Sequence, residues 1–162
     1  RYAPEDRVHP IAMESLKRAK SSTDSYKVVG VSAWPVRALV ERGHAKSAAV
    51  ECNRLLKQAK AIEHPGSFAQ ALSLLFQGIF PGDLSMATTI VEALACDHDS
   101  ITHWRHRRQI RDCLEVLYAT DSKRTVRVLN RMKDEKLAVK LLAKVPERVG
   151  VLVSGPREFF SG

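Results

Sequence analysis

Cysteine is scarce in this chain, acidic residues are outnumbered, and long apolar runs are missing. The three cysteines, Cys52, Cys96 and Cys113, are odd in number and form no CxxC pair, which argues against a disulfide framework or a redox or metal role. Each lies inside a helical apolar pattern, so buried reduced thiols are expected. No run approaches the roughly 20 apolar residues that span a bilayer, and the N-terminus lacks the basic-then-apolar layout of a signal peptide. An intracellular, cytoplasmic setting is the expectation. Glycine-rich phosphate loops, GxSxG and a Cys–His pair with an orienting acid are also missing, so the familiar nucleophilic and nucleotide chemistries have no foothold. No cofactor is expected.

What is present is a basic chain of ordinary globular composition. Its 162 residues are 44% hydrophobic and 27% charged, enough for one domain with a continuous core. With 26 Lys plus Arg against 18 Asp plus Glu, the net charge is +8 and the pI about 9.7, which favours acidic partners. The chain opens on Arg1 rather than methionine, as an excised or processed fragment does, and an upstream region would then carry any targeting signal.

Helical periodicity runs almost throughout, punctuated at even intervals. Gly43, Gly82 and Asp121 stand 39 residues apart, each between two stretches of helical apolar spacing. The same offset aligns Val36, Leu75 and Leu114, then Val40, Ile79 and Tyr118, and after the turn Ala48, Ala87 and Val126. A recurrent unit of helix, tight turn and helix resembles HEAT or armadillo repeats over residues 24 to 145. That resemblance implies a short α-solenoid of about three units, used for scaffolding or ligand binding rather than catalysis. A compact antiparallel helical bundle is the alternative. Residues 4 to 20 read as the second helix of an earlier, truncated unit, with Pro10 delaying its start. Pro35 is expected to kink or restart the helix of 25 to 42. Residues 44 to 62 form the next helix, and His64-Pro65-Gly66 ends the first full unit, with Ser67 capping the helix through Ile79. That helix is apolar over so much of its circumference that it is expected at the centre. Asp83 or Ser85 caps the helix that follows. The cluster Lys133-Asp134-Glu135-Lys136 breaks the last unit, leaving a short helix at 137 to 142. The domain is thus 1 to 145, and 146 to 162 is a C-terminal tail expected to dock on the last repeat.

Residues 97 to 111 concentrate three of the six histidines and four arginines. At 100° per residue, His103, His106, Ile110, Leu114 and Leu117 share the core-facing stripe, so the two histidines are expected at a packed helix edge. Trp104, Arg108, Arg111 and Glu115 share another stripe. There an aromatic flanked by guanidinium groups can stack on a base or engage an acidic loop. The pairs Arg108 with Asp112 and Arg111 with Glu115 also have the spacing of surface ion pairs. From 101 to 131, eight basic residues stand against three acidic ones, a net +5.

The reading is a non-enzymatic module with a basic surface for an acidic partner. Trp104, Arg105, Arg108, Arg111, Lys123, Arg124 and Arg127 are the candidate binding residues, an acidic protein surface is the first expectation and nucleic acid the second. Charge reversal at Arg108 and Arg111 is expected to abolish binding and leave stability unchanged. His98-Asp99, with His64 and Asp121, loosely resembles the ligand order of HD-type metal phosphohydrolases, and Asp97, His98, Asp99 and His103 could form a local metal cluster. Neither supplies an expected metal site. A helical-repeat DNA glycosylase fits the basic face and Trp104, but no catalytic carboxylate can be placed.

Overall fold

Aspartate side chains open four of the helices. Asp24, Asp83, Asp121 and Asp134 accept the backbone N–H three residues on, from Lys27, Met86, Arg124 and Leu137, at 3.1, 2.9, 3.0 and 3.0 Å. Each bond satisfies an amide that a helix start leaves without an internal partner. The computed structural model describes residues 5–80, 82–96 and 101–153, with side chains from residue 7 to residue 146. These residues contain α1 (Glu5–Ala19), α2 (Ser25–Glu41), α3 (Ala45–Ala59), α4 (Pro65–Ile79), α5 (Leu84–Cys96), α6 (Trp104–Thr120), α7 (Ser122–Arg131) and α8 (Glu135–Val153). No strand occurs among the described residues. The chain is all-α, in agreement with both the solenoid and the bundle expected from sequence.

The helices lie in two rows. α2, α4, α6 and α8 are side by side in chain order, α3, α5 and α7 line up behind them, and α1 packs on α2. α4 touches α2, α3, α5 and α6, and buries Phe68, Ala69, Ala71, Leu72, Leu75, Phe76 and Ile79. Its apolar circumference thus finds a neighbour on every side but one. Val36, Leu75 and Leu114, aligned by the offset of 39, are all fully buried in one continuous core that reaches from Ala12 to Val145.

Two glycines set the spacing. Gly43 has φ +78° and lets α2 end with a double bond, Gly43 N–H to the Val40 carbonyl at 3.0 Å and His44 N–H to that of Leu39 at 2.8 Å. Gly78 lies so close to α2 that a Cβ there would come within 2.7 Å of the Ala33 carbonyl oxygen.

Several boundaries differ from expectation. α2 continues unbroken through Pro35, and Val31, whose carbonyl loses its helical partner, is 61% exposed and so lies on the solvent side of the helix. α1 likewise includes Pro10, which is exposed. His64-Pro65-Gly66 opens α4 rather than only ending the preceding unit. Pro65 occupies the first turn, where its missing N–H costs nothing, and His64 Nδ1, not Ser67, takes the cap bond, from Ser67 N–H at 3.2 Å. The break expected at 133 to 136 falls at 132 to 134, and α8 then runs past 142 and through Pro146 to Val153. The tail boundary expected at 146 therefore lies inside a helix. Leu142, four residues before that proline, is 45% exposed, so the freed carbonyl again belongs to a residue on the solvent side of its helix. Residues 154–162 lie outside the described residues, and with them the expected docking. Among the described residues no helix is long and apolar enough to cross a membrane.

The third helix pair departs from the first two. α7 has 10 residues against 15 in α3 and 13 in α5, and Val126, aligned with the buried Ala48 and Ala87, is partly exposed. Thr125, Val128 and Leu129 face the core instead. An offset of 39 from Trp104 would start the next helix at 143, whereas α8 starts at Glu135.

Candidate functional site

The offset of 39 places Arg108 in the column of Gly30 and Ala69, and Arg111 in that of Ala33 and Leu72. In α2 these small residues press against α4, and in α4 the aligned Ala69 and Leu72 are buried. In α6 they carry long cationic side chains, which cannot be buried without partners. The contact between α6 and α8 accordingly opens into a groove of about 630 Å³. Trp104, Arg107, Arg108 and Arg111 form one wall, and Asp134, Lys136, Leu137, Lys140, Leu141 and Lys144 the other. Six of these ten residues are cationic.

The two walls hold their charge differently. Arg108 Nε is 3.6 Å from Asp112 Oδ2, while Arg111 reaches Asp112 Oδ1 at 3.1 Å and Glu115 Oε1 at 3.6 Å. Glu115 is 3% exposed, so Arg111 is fastened inward and Arg108 stays on the surface. Arg107 Nε donates to the Ile101 carbonyl at 2.6 Å. On the α8 side, Lys136, Lys140 and Lys144 follow one another at one-turn spacing and enter no ion pair among the described residues. Asp134, the one carboxylate among the described lining residues, uses Oδ1 to cap α8. At the groove's end Trp104 is 61% exposed, with the Arg105 guanidinium 5.2 Å from its ring centroid and the His103 ring stacked beside it at 6.2 Å.

Of the candidates from sequence, the structure brings Trp104, Arg108 and Arg111 together in the groove. Arg105 sits over Trp104 but is not part of the lining. Lys123, Arg124 and Arg127 are on α7, in the other row, and none lines the groove. Arg124 Nε is paired with Asp121 Oδ2 at 3.1 Å. Sequence reasoning missed Lys136, Lys140 and Lys144. Their spacing of four was a usable signal, hidden because the helix was expected to stop at 142.

His103 and His106 belong to packing. His106 is buried, its Nε2 lies 2.8 Å from the Leu94 carbonyl and its ring meets Phe68 edge-on at 5.8 Å. His103 precedes α6 and meets His64 edge-on at 5.1 Å. Asp121 stands at the opposite end of α6 from His103, roughly 27 Å away at 1.5 Å per residue. Because His64 lies beside His103, Asp121 is distant from His64 too, and these two members of the loose HD-like set are not drawn together. Asp97, His98 and Asp99 lie outside the described residues, and among those described no three potential metal ligands converge.

No family model matches the chain, and no curated protein or solved structure is significantly similar to it. The groove has to be read from its own chemistry.

Proposed function

We propose that the chain is a non-enzymatic interaction module, built from HEAT- or armadillo-like helix pairs, that docks an acidic partner in the groove between α6 and α8. The observation that carries this reading is the lining itself, where the described residues put six cations on two facing helices against one carboxylate. A localised excess of this kind attracts and orients a negatively charged ligand far better than the same charge spread over the surface. Binding is favoured over catalysis because the lining carboxylate already caps α8. The exposed indole supplies an anchor of the type that dominates binding energy at interfaces.

The test titrates labelled polyglutamate and a labelled oligonucleotide with the parent chain and with an Arg108→Glu, Lys140→Glu double variant. All the altered side chains are exposed, so folding is expected to be unaffected. At low salt the parent should bind at least one probe at micromolar concentration, and the variant should lose on the order of tenfold or more, since each close like-charge contact is costly. Equal binding by the variant would remove the groove from consideration.

A further inference from the structure

We infer that the occupant of this groove is a single-stranded nucleic acid, with its phosphates along the lysine row of α8 and a base on Trp104. The inference rests on the groove being the docking surface and goes on to name the partner. Protein interfaces draw their energy from an apolar centre and are depleted in lysine. Here the apolar floor is already consumed, because Leu137 and Leu141 are 9% and 5% exposed. Trp104 is the large apolar side chain still open to a ligand there, while Lys136, Lys140 and Lys144, on successive turns about 6 Å apart along α8, enter no ion pair among the described residues.

A row of ammonium groups at one-turn spacing faces a chain of regularly spaced anions better than it faces scattered carboxylates. Releasing condensed counterions from such a chain is also what drives polyanion binding. The exposed indole beside that row completes the pair of features that single-strand binding uses, a cationic track and a stacking platform. Arg105 covers part of the ring and adds a cation next to the stacked base. A duplex keeps its bases inside, so it can offer phosphates to the rim but no open base to Trp104. The strands' shared chemistry makes DNA and RNA equivalent at this level, and a 2′-hydroxyl contact would separate them.

The experiment uses the full chain with Trp34→Phe, which leaves Trp104 as the lone tryptophan; Trp34 is 69% exposed, so its replacement is expected to leave the fold intact. The probes are a twelve-residue oligo(dT), oligo(U) of the same length, a twelve-pair duplex and polyglutamate, each across a salt series. Oligo(dT) and oligo(U) are expected to bind and to quench Trp104, with log affinity falling against log salt at a slope of about −3, as for four or five phosphates neutralised. Lys140→Ala with Lys144→Ala should make that slope shallower by about 1.4, two phosphates' worth. Trp104→Ala should weaken binding about tenfold or more with the slope unchanged, the loss of one stacked base. The duplex should bind more weakly and without quenching.

Polyglutamate binding that Arg108→Glu abolishes, with no oligonucleotide binding, would overturn this inference and leave the docking reading standing. Oligonucleotide binding with an unmoved slope in the lysine variant, or without any change in Trp104 emission, would overturn it as well. No binding of any probe at low salt would bring down both.

Discussion

Arg108 and Arg111 are neighbours on one stripe, yet their environments make them opposite kinds of residue. Arg108 points to solvent, and its contact with Asp112 at 3.6 Å is a surface pair of small worth. Arg111 is half-buried and leans on Glu115, a carboxylate almost wholly removed from water. Reversing Arg111 would place a second carboxylate against one that is almost wholly removed from water. Arg111→Glu is therefore expected to cost ~2 kcal/mol, between the surface and buried limits for such pairs, and Arg108→Glu less than ~0.5 kcal/mol. Urea midpoints of the two variants check this; equal destabilisation would mean that Arg111 is not the counterion of Glu115. The expectation from sequence that reversing both leaves stability unchanged thus applies to Arg108 alone. Gly78 shows the same dependence on surroundings. Its neighbour in α2 is backbone, which cannot yield as a flexible side chain would, so Gly78→Ala should destabilise by about 1–3 kcal/mol even though alanine is the better helix former.

At the level of helices, what could be read in the sequence was whatever depends on neighbours within about a turn. The aspartate starts at Asp24, Asp83 and Asp121, the glycine stop at Gly43 and the apolar circumference of α4 all announce themselves locally. The interior prolines did not, because tolerance of Pro35 and Pro146 depends on which way the freed carbonyl faces, and that is decided by packing. The groove was half legible. Trp104, Arg108 and Arg111 share a stripe on one helix, whereas their meeting with Lys136, Lys140 and Lys144 depends on how α8 settles against α6 after the register slip at α7. A second tie between distant segments was equally hidden. Lys20, just after α1, donates to Glu51 on α3 at 3.2 Å, and Arg54 donates to the same carboxylate at 2.7 Å. Burial alone would raise the Glu51 pKa, but the hydrogen bonds from Arg54 and Lys20 outweigh it and hold the group below its ordinary 4.5. A carboxyl with a depressed folded-state pKa contributes stability that is present above pH 4.5 and is lost as pH falls through the folded value. Glu51→Gln should remove that part of the acid dependence, and at pH 6 should speed amide exchange in α1 relative to α4. Unchanged exchange in α1 would show that its packing on α2 suffices to hold it.

The core of the whole molecule can be tested through its two buried thiols, which lie on helices of different rows. Cys52 on α3 and Cys113 on α6 are both enclosed, and burial pushes each thiol from its ordinary 9.0 up to about 12, with Asp83 and Glu51 adding to the effect at Cys52. Because the folded-state value is raised, each thiol's contribution to stability is fully present below pH 9 and is lost as pH climbs towards 12, where the unfolded chain ionises first. Within that window each thiol should steepen the fall of unfolding free energy by about 1.4 kcal/mol per pH unit. Cys52→Ala and Cys113→Ala should each make the slope shallower by that amount, while lysines and tyrosines, common to parent and variant, cancel. If the core is one cooperative unit, as its continuity from Ala12 to Val145 implies, both thiols should also react with an alkylating reagent only through global opening, at one shared rate near neutral pH. Cys96, partly exposed on α5, should react faster. A Cys113 rate well above that of Cys52 would mean that the α6 side, where the charged groove interrupts the packing, opens by itself. The cohesion of the molecule would then rest on the first two helix pairs, with the third hinged to them as a separately yielding element that a ligand in the groove would stabilise.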